Sequence, residues 1–229
     1  MKKLFPILTF LIISFSAIAQ DYPSFSPGVT ISPNIAWAST SVNTVPSNLS
    51  ASSSNAKFGY CIGVTLDYMK KETYGLCAEF RIQRLDMGYN LNSISPTGVS
   101  ITNASNVFYQ YIEIPVGIKM RTVEFGYSRF YAKAGLNPAI CTKAEATITS
   151  NNGINNSTTA VSNISSRTTP INLGLFIGMG LEYTIAGTTA LVGGLTYHYG
   201  VIDIYKDPNS TDNFTINTRY LSMDLAIKF

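Results

Sequence analysis

Between Arg219 and Phe229 the chain reads R-Y-L-S-M-D-L-A-I-K-F. Successive side chains of a strand point to opposite faces. This stretch therefore sends Arg219, Leu221, Met223, Leu225, Ile227 and Phe229 to one side, and Tyr220, Ser222, Asp224, Ala226 and Lys228 to the other. One side suits hydrocarbon and the other a polar interior. In lipid every backbone polar group must find an internal partner, so strands cross a membrane only when their sheet closes on itself. The pattern predicts the last strand of a transmembrane β-barrel.

The rest of the chain supplies the other strands. Alternating segments read at residues 28–39, 58–69, 73–89, 108–121, 125–141, 170–183, 188–203 and 217–229. Long Ser/Thr/Asn-rich stretches follow the first, third, fifth and seventh, while the second, fourth and sixth end in a few residues such as Lys70-Lys71-Glu72. Alternation of long and short connections is the habit of outer-membrane barrels, whose long loops face outward and whose short turns face the periplasm. An even strand count leaves both termini at the short-turn end. The expected fold is all-β: an eight-stranded, antiparallel, up-and-down transmembrane barrel over residues 20–229. The third and fifth segments exceed the ~9–11 residues that a tilted strand needs, so they are expected to project from the membrane.

The N-terminus places the protein in the same compartment. Met1-Lys2-Lys3, an apolar run from Leu4 to Phe15 and then Ser16-Ala17-Ile18-Ala19 read as a secretory signal peptide over residues 1–19, cleaved before Gln20. Removing Lys2 and Lys3 takes two charges from a formal net +3, which leaves nothing to attract a nucleic acid. After the signal no apolar run approaches the ~20 residues of a membrane helix. The 14 tyrosines and 12 phenylalanines, beside 13% charged residues, fit aromatic girdles around a barrel. Cys61, Cys77 and Cys141 make an odd number without C-x-x-C, so neither a zinc site nor a disulfide framework is indicated. A Cys61–Cys77 bridge across neighbouring strands is left open, since it depends on register.

The two faces have distinct chemistry. Val29, Ile31, Ile35 and Trp37, then Tyr60, Ile62, Val64 and Leu66, share the apolar parity, as do Ile112, Ile114, Val116 and Ile118 and the run Leu173, Leu175, Ile177, Met179 and Leu181. The opposite parity collects Asn34, Asp67, Glu79, Arg81, Glu113, Lys119, Lys133, Glu182, His198, Asp224 and Lys228. Five acids and four bases in that set are near balance, as a closed interior requires. Eight strands enclose a lumen that side chains just fill, which argues against a wide pore. In the third segment the apolar parity changes from Leu76, Phe80 and Ile82 to Leu85, Met87 and Tyr89, which predicts a bulge near Gln83-Arg84. A turn about Val123 would set Glu113 opposite Lys133.

Candidate chemistry is sparse. His198 is the one histidine, and a hairpin about residues 209–211 would bring Ser222 and Asp224 near it, which are the residue types of a hydrolytic triad. No nucleophile motif accompanies them, and a satisfied interior histidine explains the position better. No catalytic, cofactor-binding or metal-binding residue is assigned. N-x-S/T occurs at Asn48, Asn103, Asn156, Asn163 and Asn213, which reflects Asn/Ser/Thr-rich loops. The polar, largely uncharged stretch 142–169 reads as a long loop suited to adaptable contacts.

Tyr111 to Lys119, Y-I-E-I-P-V-G-I-K, resembles the fourth-strand signature of the PorT-like outer-membrane proteins of Bacteroidota. Gly117 departs from that pattern, where a bulkier residue is usual. The resemblance implies an eight-stranded outer-membrane barrel, some relatives of which serve protein secretion, and it carries no active-site residues. Expected partners are outer-membrane lipid and, through the long extracellular loops, other envelope or secretion proteins. The leading expectation is a structural or interaction module. A barrel enzyme acting on lipid or lipopolysaccharide, or a narrow small-molecule channel, are its alternatives.

Overall fold

The computed structural model describes residues 24–44, 49–94, 100–151, 156–205 and 213–229. The segment read as a signal peptide lies outside them, as does Asn48. Eleven strands form one sheet: β1 (Ser24–Thr44), β2 (Leu49–Ser53), β3 (Lys57–Met69), β4 (Tyr74–Ile94), β5 (Ser100–Glu113), β6 (Val116–Arg121), β7 (Ser128–Asn151), β8 (Asn156–Asn163), β9 (Ile171–Ala186), β10 (Thr189–Gly200) and β11 (Asn213–Lys228).

They make eight antiparallel staves. β5 and β6 lie along one line between β4 and β7, β2 continues β3 along β4, and β8 pairs only with β7, beyond the end of β9. β1 closes the ring, because Gly28 pairs with Thr65 on one side and with Lys228 on the other. The last residue is tied in as well, its N–H donating to the Pro27 carbonyl at 2.8 Å. Closure leaves no free edge at membrane depth, which is what allows strands to span lipid.

The turns fix the register. Gly126 (φ 66°) and Gly187 (φ 55°) occupy the left-handed region at the first central position of the tight β6–β7 and β9–β10 connections, where a two-residue hairpin demands it. Phe125 and Ser128 exchange both backbone hydrogen bonds around Gly126. The turn is thus centred three residues beyond Val123, which sets Lys133 against Lys119 and Glu113 against Ala139. The expected Glu113–Lys133 pairing does not form.

Pro115 removes a ladder donor between β5 and β6, but the register is unshifted on either side: Arg81 pairs with Glu113 and Ala78 with Val116. The ladder breaks there without a bulge. The extra residue sits elsewhere, at Thr142 of β7, where Gln110 opposes Lys143 while Tyr111 opposes Cys141. Cys61 pairs with Gln83 and Cys77 with Asp67, so the two thiols lie six positions apart along neighbouring strands. At ~3.3 Å per residue that is roughly 20 Å, far beyond disulfide reach.

No bulge occurs near Gln83-Arg84 either. The inward parity of β4 is continuous: Cys77, Arg81, Gln83, Leu85, Met87 and Tyr89 are all buried. What changes is the surroundings. Up to Ile82, apolar side chains point out to lipid and polar ones in; from Arg84 on, Arg84 and Asp86 point out and apolar side chains point in. Outside the membrane the barrel has water around it, so its apolar face turns inward as in any soluble sheet. The inversion marks the membrane boundary. β7, at 24 residues, is about twice the ~9–11 that span a bilayer. β1, β4, β5 and β11 project with it, so the tall end is a β-structured extension, and much of stretch 142–169 is the β7–β8 hairpin rather than loop.

Candidate functional site

The lumen at membrane depth is filled by two charged layers. Nearest the short-turn end, Lys119 Nζ reaches Asp67 Oδ2 at 2.7 Å and Glu182 Oε1 at 2.5 Å. Lys228 Nζ bonds the same two oxygens, that of Glu182 at 2.7 Å. Two cations and two carboxylates thereby join β3, β6, β9 and β11 across the interior. Tyr131 lies beneath Lys119, 4.3 Å from ring centroid to Nζ. Its hydroxyl occupies the space that a Cβ on Gly194 would need, at 2.3 Å. Glycine on the inward parity thus makes room for a large neighbour.

The second layer centres on Arg81 and Lys133. Lys133 Nζ stands 2.9 Å from both Glu79 Oε1 and Asp224 Oδ2. Arg81 is 1% exposed; it holds Glu113 at 2.8 Å and Glu79 at 3.2 Å, and donates to the Tyr220 hydroxyl at 3.2 Å. Tyr220 donates in turn to Glu113 at 3.0 Å. Arg121, which sequence parity overlooked, adds a fifth base by meeting Glu182 at 3.5 Å. Asp67, Glu79, Glu113, Glu182 and Asp224 are thus matched by Arg81, Lys119, Arg121, Lys133 and Lys228. Buried charges are tolerable on those terms, whereas removing one partner strands the other.

The Ser-His-Asp residue types meet without forming a relay. His198 stacks on Tyr220, its direct register partner, with centroids 4.2 Å apart, and each ring nitrogen stands 3.4 Å from Arg81 Nη2. Ser222 donates to the Thr196 carbonyl and to Asp224 Oδ1, and Asp224 Oδ2 accepts from Thr196. The serine and the carboxylate therefore engage each other and not the imidazole. His198 is 2% exposed and faces no solvent. Among the described residues no cluster of His, Cys, Asp or Glu is placed to hold a metal ion.

Above the charged layers the interior formed by the described residues turns apolar. Leu85, Met87, Tyr89, Val107, Tyr109, Ala144 and Ala146 pack together with Ile216, and Ile204 enters them from the stretch after β10 with 1% exposure. Ile204 is pinned on both sides: its N–H donates to the Ile216 carbonyl at 2.9 Å, and its carbonyl accepts from Thr169 at 3.0 Å. Asp203 Oδ1 accepts from the N–H groups of Tyr205 and Ile216. A pocket between the charged layers, bordered by Asp67, Glu79, Lys119, Lys133, Asp224 and Lys228, holds about 20 Å³, little more than one water.

The chain matches the family described as outer membrane protein beta-barrel domain over residues 18–225. It belongs to that family. This outer-membrane barrel also resembles solved structures at fold level. OprG of Pseudomonas aeruginosa is 10% identical, with a TM-score of 0.48 and 90% of this chain and 95% of that one covered. Neisserial surface protein A is 14% identical, at 0.43 with 89% and 97% covered. The outer-membrane protease OmpT of Escherichia coli is 7% identical, at 0.40 with 93% and 99% covered. No curated protein matches by sequence.

The lumen contacts give a test of the observed register. Lys133→Met is expected to destabilise the barrel by about 3–5 kcal/mol, because Asp224 loses its cation while Glu79 keeps Arg81. Adding Asp224→Asn should recover much of that loss and adding Glu113→Gln should not, as read from urea unfolding in lipid vesicles. Equal rescue by both would contradict the network.

Proposed function

We propose that the protein is a closed, non-conducting anchor whose tall end acts as an interaction module of the outer membrane, serving protein secretion, as some PorT-like barrels do, or envelope assembly. The observation that carries this reading is the packing of the interior among the described residues: balanced, mutually paired charges at membrane depth, then an apolar core that includes Ile204. A channel needs a wet path, and a lipid hydrolase needs its histidine at the lipid face. In this reading residues 1–19 direct export, the short turns and both termini face the periplasm, and the projecting strands face outward.

The mature protein is expected to fractionate with outer membrane, to shift in gel mobility on heating, and to show no discrete conductance in planar bilayers. Recovery from the soluble periplasm or stepwise ion currents would overturn the reading. For the interaction role, replacing residues 150–157 by Asn-Gly shortens the β7–β8 hairpin beyond the Thr149–Thr158 pair while sparing Ile164, which packs on the core. The shortened protein should keep its heat-shifted band and lose the envelope-protein adducts that a photo-crosslinker at Thr147 gives in the full chain. Unchanged adducts would place the contacts elsewhere.

A further inference from the structure

Three rows of outward side chains cross β4, β5 and β7 at the level where the barrel leaves the membrane. The last apolar row is Ile82, Ile112 and Ile140, paired across the three strands. One step further out stand Arg84, Gln110 and Lys143, and beyond them Asp86, Phe108 and Glu145. Two cations therefore stand in the first polar row beyond the outward isoleucines. Both lean over one ring: Arg84 Cζ lies 4.4 Å and Lys143 Nζ 5.6 Å from the Phe108 centroid. Lys57 adds a third cation, its Nζ 2.5 Å from Asn106 Oδ1. Together these side chains border a depression of about 340 Å³ with the ring in its wall, at the small end of ligand-site volumes.

We infer that this depression binds the phosphate of a membrane lipid headgroup. Arg84 and Lys143 are 44% and 50% exposed, so they are open to a ligand. Their neighbours Asp86 and Glu145, each at 2.8 Å, hold them upright over Phe108. Exposed pairs of that kind contribute little stability, so a phosphate exchanges for a carboxylate at small cost. Three cations against two carboxylates leave the depression net positive. Arginine offers a fork that fits phosphate oxygens and lysine a point charge beside it. The lipid's acyl chains would lie along the isoleucine row below. This assignment rests on the membrane-spanning reading of that row but not on which end faces outward.

The test uses the full mature barrel in nanodiscs and counts retained lipid by native mass spectrometry. Phosphatidylglycerol should be retained in preference to a phosphate-free galactolipid of the same acyl chains. At roughly fivefold per basic residue near a membrane surface, Arg84→Gln with Lys143→Gln should weaken retention about 30-fold. Asp86→Asn with Glu145→Gln should match or exceed wild type, since it removes competitors of the phosphate and leaves the cations. Equal retention of the two lipids, or no loss in the cation variant, would show a self-satisfied surface patch and overturn the assignment. Displacement of the lipid by millimolar inorganic phosphate in detergent would overturn the lipid source in favour of free phosphate. A heat-shifted gel band for every variant separates these outcomes from failure to fold or to insert.

Discussion

Arg81→Met is expected to destabilise the barrel by about 3–5 kcal/mol, the cost of breaking a buried ion pair by removing one partner. Four groups lose a contact: Glu79, Glu113, Tyr220 and His198. They do not lose equally. Glu79 retains Lys133 at 2.9 Å, whereas Glu113 is left with the Tyr220 hydroxyl and no cation. The double change Arg81→Met with Glu113→Gln should therefore recover much of the loss, and Arg81→Met with Glu79→Gln little of it. Urea unfolding in vesicles, read by tryptophan fluorescence of Trp37 or by gel mobility, gives the free energies, and the two cycles separate coupling from simple addition. If both double changes add to the single ones, Arg81 does not organise the layer.

The same network shows how far alternation carries. Parity alone puts Asp67, Glu79, Arg81, Glu113, Lys119, Lys133, Glu182, His198, Asp224 and Lys228 on one face, and the structure turns every one of them into the lumen. Period two is a property of the strand itself and needs no neighbour. Who pairs with whom depends on register, which a turn sets from outside the strand. Centring the β6–β7 hairpin on Val123 rather than Gly126 moves Glu113 from Ala139 to Lys133, and one misplaced turn thus rewires two ion pairs. Tyr220, the direct partner of His198, was legible as an inward residue of the last strand. Tyrosine is not a residue type of a hydrolytic triad, whereas Ser222 and Asp224 on the same face are.

The reversal of polarity along β4 was visible in the sequence but carries a different meaning in the fold. Apolar alternation marks the buried face in water and the exposed face in lipid. A strand that leaves the bilayer must swap the two while its backbone runs straight, and Ile82, Arg84, Leu85 and Met87 record that crossing. A bulge would shift the ladder, and the pairing from Arg81–Glu113 to Ile94–Ser100 has no shift. The outward cations were hidden for the same reason, because Arg84, Phe108 and Lys143 come from three strands that only the register aligns.

Ile204 belongs to a stretch with no periodicity to read, yet the fold buries it in the apolar core above the charged layers. Ile204→Asp is expected to open that core while leaving the spanning part folded. An unpartnered carboxylate among Leu85, Met87, Tyr109 and Ile216 costs several kcal/mol. The backbone ties that hold the stretch, Ile204 to Ile216 and Thr169 to Ile204, contribute only about 0.5–1.5 kcal/mol each. The stretch should therefore swing out of the core. Hydrogen exchange at the amides of Ile204, Tyr205 and Ile216 would rise by orders of magnitude, while amides of β9 and β10 at membrane depth keep their protection. The heat-shifted gel band should persist, because the ion pairs around Arg81 and Lys119 are untouched. Conductance should stay absent too, since the charged layers still fill the lumen below. Ion steps in the Ile204→Asp protein would mean that the apolar core, and not the charged lumen, seals the barrel.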